Sequence, residues 1–318
     1  MHKHVRYLVF SVVLTIAGFG IWIAYEDHQQ IFTAIGLIGW DGFLLLCCFS
    51  LLNYGLRYLR WRWLLKQLGD HPRGWDNLLC YISGYALTTT PAKAGEAIRC
   101  LYIHRRHGIH HGHTLAAILA ERTTDAVSTM LIAVLALYSF QQMRWVGLAF
   151  TAFIVAVVMV VSVPDWLLRI TKRLRIIRIG LLQRLLDLIP VFLARSAHLF
   201  TTRPFVGAVG FGFIAWSCEA SAFAWLAHQL GGEASTLLYM SIFAIAMVAG
   251  ALTFMPGGLG GAEVVLYVLM IATGMGGAEA IAATLLCRLA TLWFAVLLGL
   301  LSILWLELNP KVHNEPAL

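Results

Sequence analysis

The chain has 318 residues, of which 60% are hydrophobic and only 12% charged, and its formal net charge is +7. Soluble domains carry about 25% charged residues, so this composition excludes a water-soluble globule, and several windows of about 20 apolar residues mark a polytopic membrane protein. The basic residues sit beside the apolar segments, which excludes nucleic acid as their partner and points to anionic lipid headgroups.

The segments follow in chain order. "MHKHVRYLVFSVVLTIAGFGIWIAY" has a basic start and an apolar run at about 5–25 without a small-residue cleavage site, so it is expected as a retained first span rather than a removed signal peptide. A second span is expected at about 37–58 and is followed by "RYLRWRWLLKQLGDHPRG", whose Arg57, Arg60, Arg62, Lys66 and Arg73 read as a cytoplasmic loop. Segment 78–103 is apolar but interrupted by "TTTPAKAGEAIRC", and "RCLYIHRRHG" after it is basic again. With cytoplasmic charge on both flanks, this segment is expected to enter the membrane and leave on the same side.

Further spans are expected at about 114–138 and 145–163, and residues 164–203 are rich in Arg with apolar residues at helical spacing. An amphipathic segment at the inner interface fits that pattern, with a solvated linker as the alternative. A span at about 204–230 precedes a second interrupted segment, 236–275, with "FMPGGLGGAEVV" at its centre. Its flanks, "QLGGEAST" and "GMGGAEA", hold no Lys or Arg, so it should dip in from the opposite face. A last span at about 280–306 returns the C-terminus to the cytoplasm.

The expected fold is therefore an all-α polytopic membrane protein, one integral domain over 1–318, with about six full spans and two oppositely oriented re-entrant helical hairpins. Residues 1–36 hold the first span. Residues 37–140 form one half of an inverted repeat, residues 141–203 a fourth span with the basic segment, and residues 204–307 the other half. Spacing supports the pairing: Pro91 stands 31 residues before Arg122 and Pro256 stands 32 before Arg288, while Glu96 and Glu263 precede those arginines by 26 and 25. Pro91 and Gly95 in one break, and Pro256, Gly257, Gly258, Gly260 and Gly261 in the other, free backbone groups that must line protein or a wet cavity. Interrupted helices at a repeat interface are where transporters place their sites.

Charges within these segments are costly, about 2.5–3.5 kcal/mol each on insertion scales, so they call for partners or water. In "LAERTTDAV", Glu121 and Asp125 share a helix face and Arg122 reaches Asp125 at i,i+3. Lys93, Glu96, Arg99, Glu219, Glu263 and Arg288 complete an expected polar centre. Arg122 and Arg288 present guanidinium forks suited to phosphate, and the carboxylates orient them or carry protons. The competing reading is that these charges only lock helices together. Asn53 is expected to cap a broken helix, touch ligand or bond across helices. "HRRHGIHHGH" sets five histidines beside Arg105 and Arg106, which repel a cation; no metal site, cofactor or catalytic residue is expected. The six cysteines form no CxxC pair and read as packing residues.

Five phrases in order, "RYLRWRWLL" after an Asn, "GYALTTTPAKAGEAIR", "AERTTD", "MPGGLGGAE" and "CRLATLW", carry a resemblance over nearly the whole chain. It resembles the membrane region of lysylphosphatidylglycerol synthases, a group that includes UPF0104 or flippase-like membrane proteins. The resemblance implies a lipid-translocating domain with two re-entrant segments, without the separate soluble domain that performs aminoacyl transfer in the full synthases. "PAKAG" departs from it, placing Lys93 where a glycine-richer turn is expected. Three functions follow as expectations. The first is a transporter or flippase for an anionic or polyprenyl-phosphate-type lipid. The second is a non-catalytic partner of a separate lipid-modifying enzyme, and the third an integral-membrane enzyme acting on a lipid phosphate. The expected location is a bacterial inner membrane with both termini cytoplasmic. No Walker motif is present, which argues against ATP hydrolysis.

Overall fold

The computed structural model describes residues 28–90, 95–137, 152, 191–253 and 255–310. The spans expected at about 5–25 and 145–163, the greater part of the basic segment 164–203, Pro91, Lys93 and both termini lie outside the described residues. All regular structure within the described residues is helical. Helix α1 (His28–Gln67) is interrupted at Gly39, α2 (Gly74–Ser83) runs into a 3-10 turn at Gly84–Leu87, and α3 (Ile98–His107) follows a break. Helices α4 (His111–Leu137), α5 (Thr202–Gln229) and α6 (Thr236–Leu252) come next. A second break holds a 3-10 turn at Pro256–Gly258 and leads into α7 (Gly261–Ala272). Helix α8 (Gly277–Leu308) contains a π-helical turn at Leu289–Trp293.

Helices α1, α5 and α8 are long and apolar enough to cross a membrane. At 1.5 Å per residue the 28 residues of α5 extend about 42 Å, more than a hydrocarbon core of about 30 Å. Large apolar side chains face outward on α1 and α8, among them Leu37 at 71% and Leu304 at 57% exposure. Lipid tolerates that surface and water does not.

Both interrupted segments are helix–break–helix. In the first, the Thr90 hydroxyl donates to the Leu87 carbonyl (2.8 Å) and accepts from the Gly95 N–H (2.7 Å). Such local side-chain bonds compete with the helical ladder, and the residue before a proline is biased away from helical geometry. In the second, the Thr253 hydroxyl likewise donates three residues back, to Gly250 (2.7 Å). The two breaks meet: a Cβ on Gly257 would lie 3.4 Å from Thr89 Cγ2.

The halves pack reciprocally. Helix α1 lies along α5, α4 seats on α6, and α8 seats on α2 and its 3-10 turn. Exchanging the halves therefore reproduces the same set of neighbours. A shift of 166 residues maps Arg122 onto Arg288, Asn53 onto Glu219, and the start of α4 at His111 onto the start of α8 at Gly277. The seat of α8 is backbone against backbone, because a Cβ on Gly299 would come within 2.1 Å of the Ala86 nitrogen.

One expectation is corrected. Residues 57–66, expected in a loop, are helical: α1 continues to Gln67, and Arg57 and Arg60 are buried at 7% and 0% exposure. The chain stays helical because nothing in "RYLRWRWLLK" breaks a helix, and a carboxylate on a neighbouring helix compensates the buried cations.

Candidate functional site

A cavity of about 470 Å³ opens where the two breaks meet, lined by both halves. From the first half come Tyr54, Arg57, Tyr85, Thr88, Glu96, Arg122 and Asp125; from the second come Trp216, Glu219, Gly257, Gly258, Arg288 and Thr291. Its apolar lip includes Leu252 and Met255, 61% and 40% exposed.

Asp125 is the hub of the charged wall. Its carboxylate accepts hydrogen bonds from Arg57 (3.0 Å) and the Trp216 indole N–H (3.0 Å) and forms ion pairs with Arg60 (2.8 Å) and Arg122 (3.2 Å). Glu96 is a second counter-ion for Arg122 at 3.4 Å, and with Glu219 the cavity lining holds three carboxylates beside Arg57, Arg122 and Arg288. Glu96 is fixed by a hydrogen bond from the Thr88 hydroxyl (2.8 Å). Arg122 is the most accessible of these arginines, its side chain 27% exposed against 8% for Arg57 and 0% for Arg60. Its Nε has no hydrogen-bond partner among the described residues.

On the other side Arg288 Nε donates to Glu263 (2.6 Å) and its Nη2 to the Gly257 carbonyl (2.9 Å). The guanidinium thus ties α8 to the carboxylate at the start of α7 and to a carbonyl freed by the break. Glu96 with Arg122 and Glu263 with Arg288, matched by spacing along the sequence, are both ion pairs. Gly257 adopts φ 64°, a region where a side chain costs about 1–2 kcal/mol. Tyr54 donates to the Thr291 carbonyl inside the π-helical turn.

Other expected residues take different places. Arg99 and Glu121 do not line the cavity; they pair with each other, both almost fully buried, with Arg99 packed over the rings of Trp61 (4.6 Å) and Tyr81 (5.2 Å). Glu121 and Asp125 share a helix but answer to different cations. Asn53 makes an interhelical bond to the Ala215 carbonyl (2.8 Å) and a longer one to Glu219 (3.4 Å), joining α1 to α5 at equivalent positions of the two halves. Gly95, Gly260 and Gly261 lie in or beside the breaks. Arg57, Arg60, Tyr54 and Trp216 were not anticipated. The signal for the arginines was their phase, since Asn53, Arg57, Arg60 and Leu64 fall on one buried face of α1.

Each ion pair between described residues joins two residues of the same half. Contacts across the halves are close packing and hydrogen bonds, such as Trp216 to Asp125 and Tyr54 to Thr291. In the histidine-rich turn, His113 pairs with Asp70 (2.7 Å) and His104 stacks on His111 (4.4 Å between centroids). No three His, Cys, Asp or Glu side chains converge on a metal-sized site among the described residues. All six cysteines are free.

Comparison with known proteins agrees with this architecture. A UPF0104 membrane protein of Methanothermobacter thermautotrophicus is 23% identical over 237 residues, covering 68% of this chain and 70% of that protein. A UPF0104 membrane protein of Pyrococcus horikoshii is 30% identical over 89 residues, 28% of this chain and 27% of that one. The family model described as the lysylphosphatidylglycerol synthase TM region matches residues 8–299. With that match running through both breaks and both halves, the chain belongs to the lysylphosphatidylglycerol synthase transmembrane-region family.

Proposed function

We propose that the protein moves an anionic or polyprenyl-phosphate-type lipid between leaflets, holding the phosphate in the central cavity while the hydrocarbon chains stay in the bilayer. The observation that carries this reading is the set Arg57, Arg122 and Arg288 on the walls of a cavity shared by both halves. A volume of about 470 Å³ lies within the range of small-ligand sites and suits a headgroup rather than a whole lipid. The exposed Leu252 and Met255 give the chains a lipid-facing exit. Arginine forks match phosphate oxygens, and the carboxylates of Asp125, Glu96 and Glu263 hold the forks of Arg57, Arg122 and Arg288 in place.

Alternating exposure needs two related halves that move against each other. The reciprocal packing supports such an inverted repeat, with the two broken segments entering from opposite faces and both termini cytoplasmic. Because the ion pairs between described residues stay within halves, a shift between halves leaves those pairs intact and exchanges packing and hydrogen bonds such as that from Trp216 to Asp125. The arrangement supports a carrier that performs no chemistry on its lipid.

Reconstitution tests this. The pure protein in vesicles carrying an acyl-labelled fluorescent phosphatidylglycerol or polyprenyl phosphate is assayed for leaflet exchange, with headgroup analysis in parallel. Exchange without a new headgroup product is expected, and it should be lost in Arg122→Gln and Arg288→Gln. A modified headgroup would instead identify an enzyme. Neither exchange nor product with any anionic lipid would favour a non-catalytic partner of a lipid-modifying enzyme.

A further inference from the structure

A second cavity, of about 410 Å³, lies away from the central one, between the C-terminal end of α1, the following turn and α5. Leu59, Trp63 and Phe211 form one wall, and Arg62, Lys66, His71 and Arg73 surround the mouth with Asp70 and Pro72. Leu59, Arg62, Trp63 and Lys66 follow at i, i+3, i+4 and i+7, so the helix itself sets the apolar wall beside the cations. The Trp63 indole is anchored by donating to the Pro204 carbonyl (3.3 Å), and its ring fills the space a side chain at Gly207 would take. The wall is thus rigid and joins α1 to α5.

The charge balance of this pocket is uneven. Asp70, its one carboxylate, is turned to His113 on α4 (2.7 Å). Among the described residues no ion pair engages Arg62, Lys66 or Arg73, all of which are exposed. Arg62 is held over the Tyr58 ring, its Cζ 6.0 Å from the centroid. Trp75, 63% exposed, stands beside the same turn. Exposed aromatic rings and basic residues at the end of a spanning helix mark the level of the headgroups.

We propose that this pocket binds the phosphate of an anionic phospholipid from the adjoining leaflet, with Arg62, Lys66 and Arg73 on the headgroup and an acyl chain along Leu59, Trp63 and Phe211. Basic pockets between spanning helices are suited to such headgroups, and the apolar wall selects a lipid over a soluble phosphate. The bound lipid is a resident one, separate from any lipid that passes through the central cavity.

The full chain, purified in detergent, is titrated with phosphatidylglycerol or phosphatidylcholine and examined by native mass spectrometry. Retention of phosphatidylglycerol over phosphatidylcholine is expected, falling at least tenfold in the combined variant Arg62→Gln, Lys66→Gln, Arg73→Gln. It should survive in Arg62→Lys, Arg73→Lys. In parallel, a photoactivatable phosphatidylglycerol in vesicles of the unaltered protein should label residues 59–73 or 205–213, a readout that needs no variant to fold. Arg122→Gln should still be photolabelled at residues 59–73 or 205–213, so a failure at the central cavity is distinguishable from a failure here. Equal retention by the glutamine variant, or labelling confined to other regions, would overturn the proposal. Outright displacement by millimolar inorganic phosphate would assign the pocket to a soluble anion and overturn the lipid assignment.

Discussion

Replacing Asp125 by Asn separates architecture from ligand binding. Arg57 and Arg60 stand 3.0 and 2.8 Å from its carboxylate with side chains 8% and 0% exposed, whereas Arg122 is 27% exposed. Removing one partner of a buried pair costs about 3–5 kcal/mol, because the remaining charge is left uncompensated. Asn keeps one oxygen for Trp216 or a guanidinium, which puts the expected loss near the lower end, about 3 kcal/mol. Arg122→Gln removes a more accessible cation whose carboxylate partners keep other donors, Arg57 on Asp125 and the Thr88 hydroxyl on Glu96, so a smaller loss than that of Asp125→Asn is expected, even though lipid exchange is lost. Reversible unfolding in mixed micelles, followed by tryptophan fluorescence, measures both. Replacing the cluster together (Arg57→Met, Arg60→Met, Asp125→Leu) should recover most of the Asp125→Asn loss, since an apolar substitute of similar volume carries no desolvation cost. An Asp125→Asn protein as stable as the parent, or an Arg122→Gln protein that loses as much, would refute the hub as described.

Arg288→Lys should behave like Arg288→Gln in lipid exchange, because one ammonium cannot reproduce the fork that bonds both Glu263 and the Gly257 carbonyl; exchange at the parental rate would contradict this. Gly299→Ala should destabilise by at least about 1–3 kcal/mol, since its Cβ would fall 2.1 Å from the Ala86 nitrogen; thermal unfolding in detergent reads it. In a background without other cysteines, Asn53→Cys with Glu219→Cys should cross-link through a short bifunctional reagent, as the native side chains approach to 3.4 Å. Failure to cross-link in membranes would separate α1 from α5 at this level.

The central charges were legible because intramembrane ions must find partners. Near-equal spacing from Glu to Arg, 26 and 25 residues, marked these four residues as corresponding, and the structure pairs Glu96 with Arg122 and Glu263 with Arg288. Arg57 and Arg60 were hidden by their company. Counted with Arg62, Lys66 and Arg73 they make a basic run, and charge counting assigns a run to one side of the membrane. Helical phase separates them, since Arg57 and Arg60 share the buried face with Asn53 while Arg62 and Lys66 are exposed. Arg99 and Glu121 were expected in the polar centre and instead pair with each other outside the cavity, because sequence distance does not tell which of several nearby carboxylates an arginine meets. The π-helical turn at Leu289–Trp293 had no local signature, and the tyrosine that bonds into it, Tyr54, comes from another helix.

Confinement of each ion pair to its own half bears on biosynthesis. Arg57, Arg60, Glu96 and Arg122 all precede or closely flank Asp125 in the chain. Once the ribosome has delivered α4 to the bilayer, the nascent polypeptide already contains every counter-ion of that cluster. Glu263 and Arg288 arrive together later in the same way. Membrane insertion can therefore proceed one half at a time, with neither half holding an ionised group of these clusters in wait for the other.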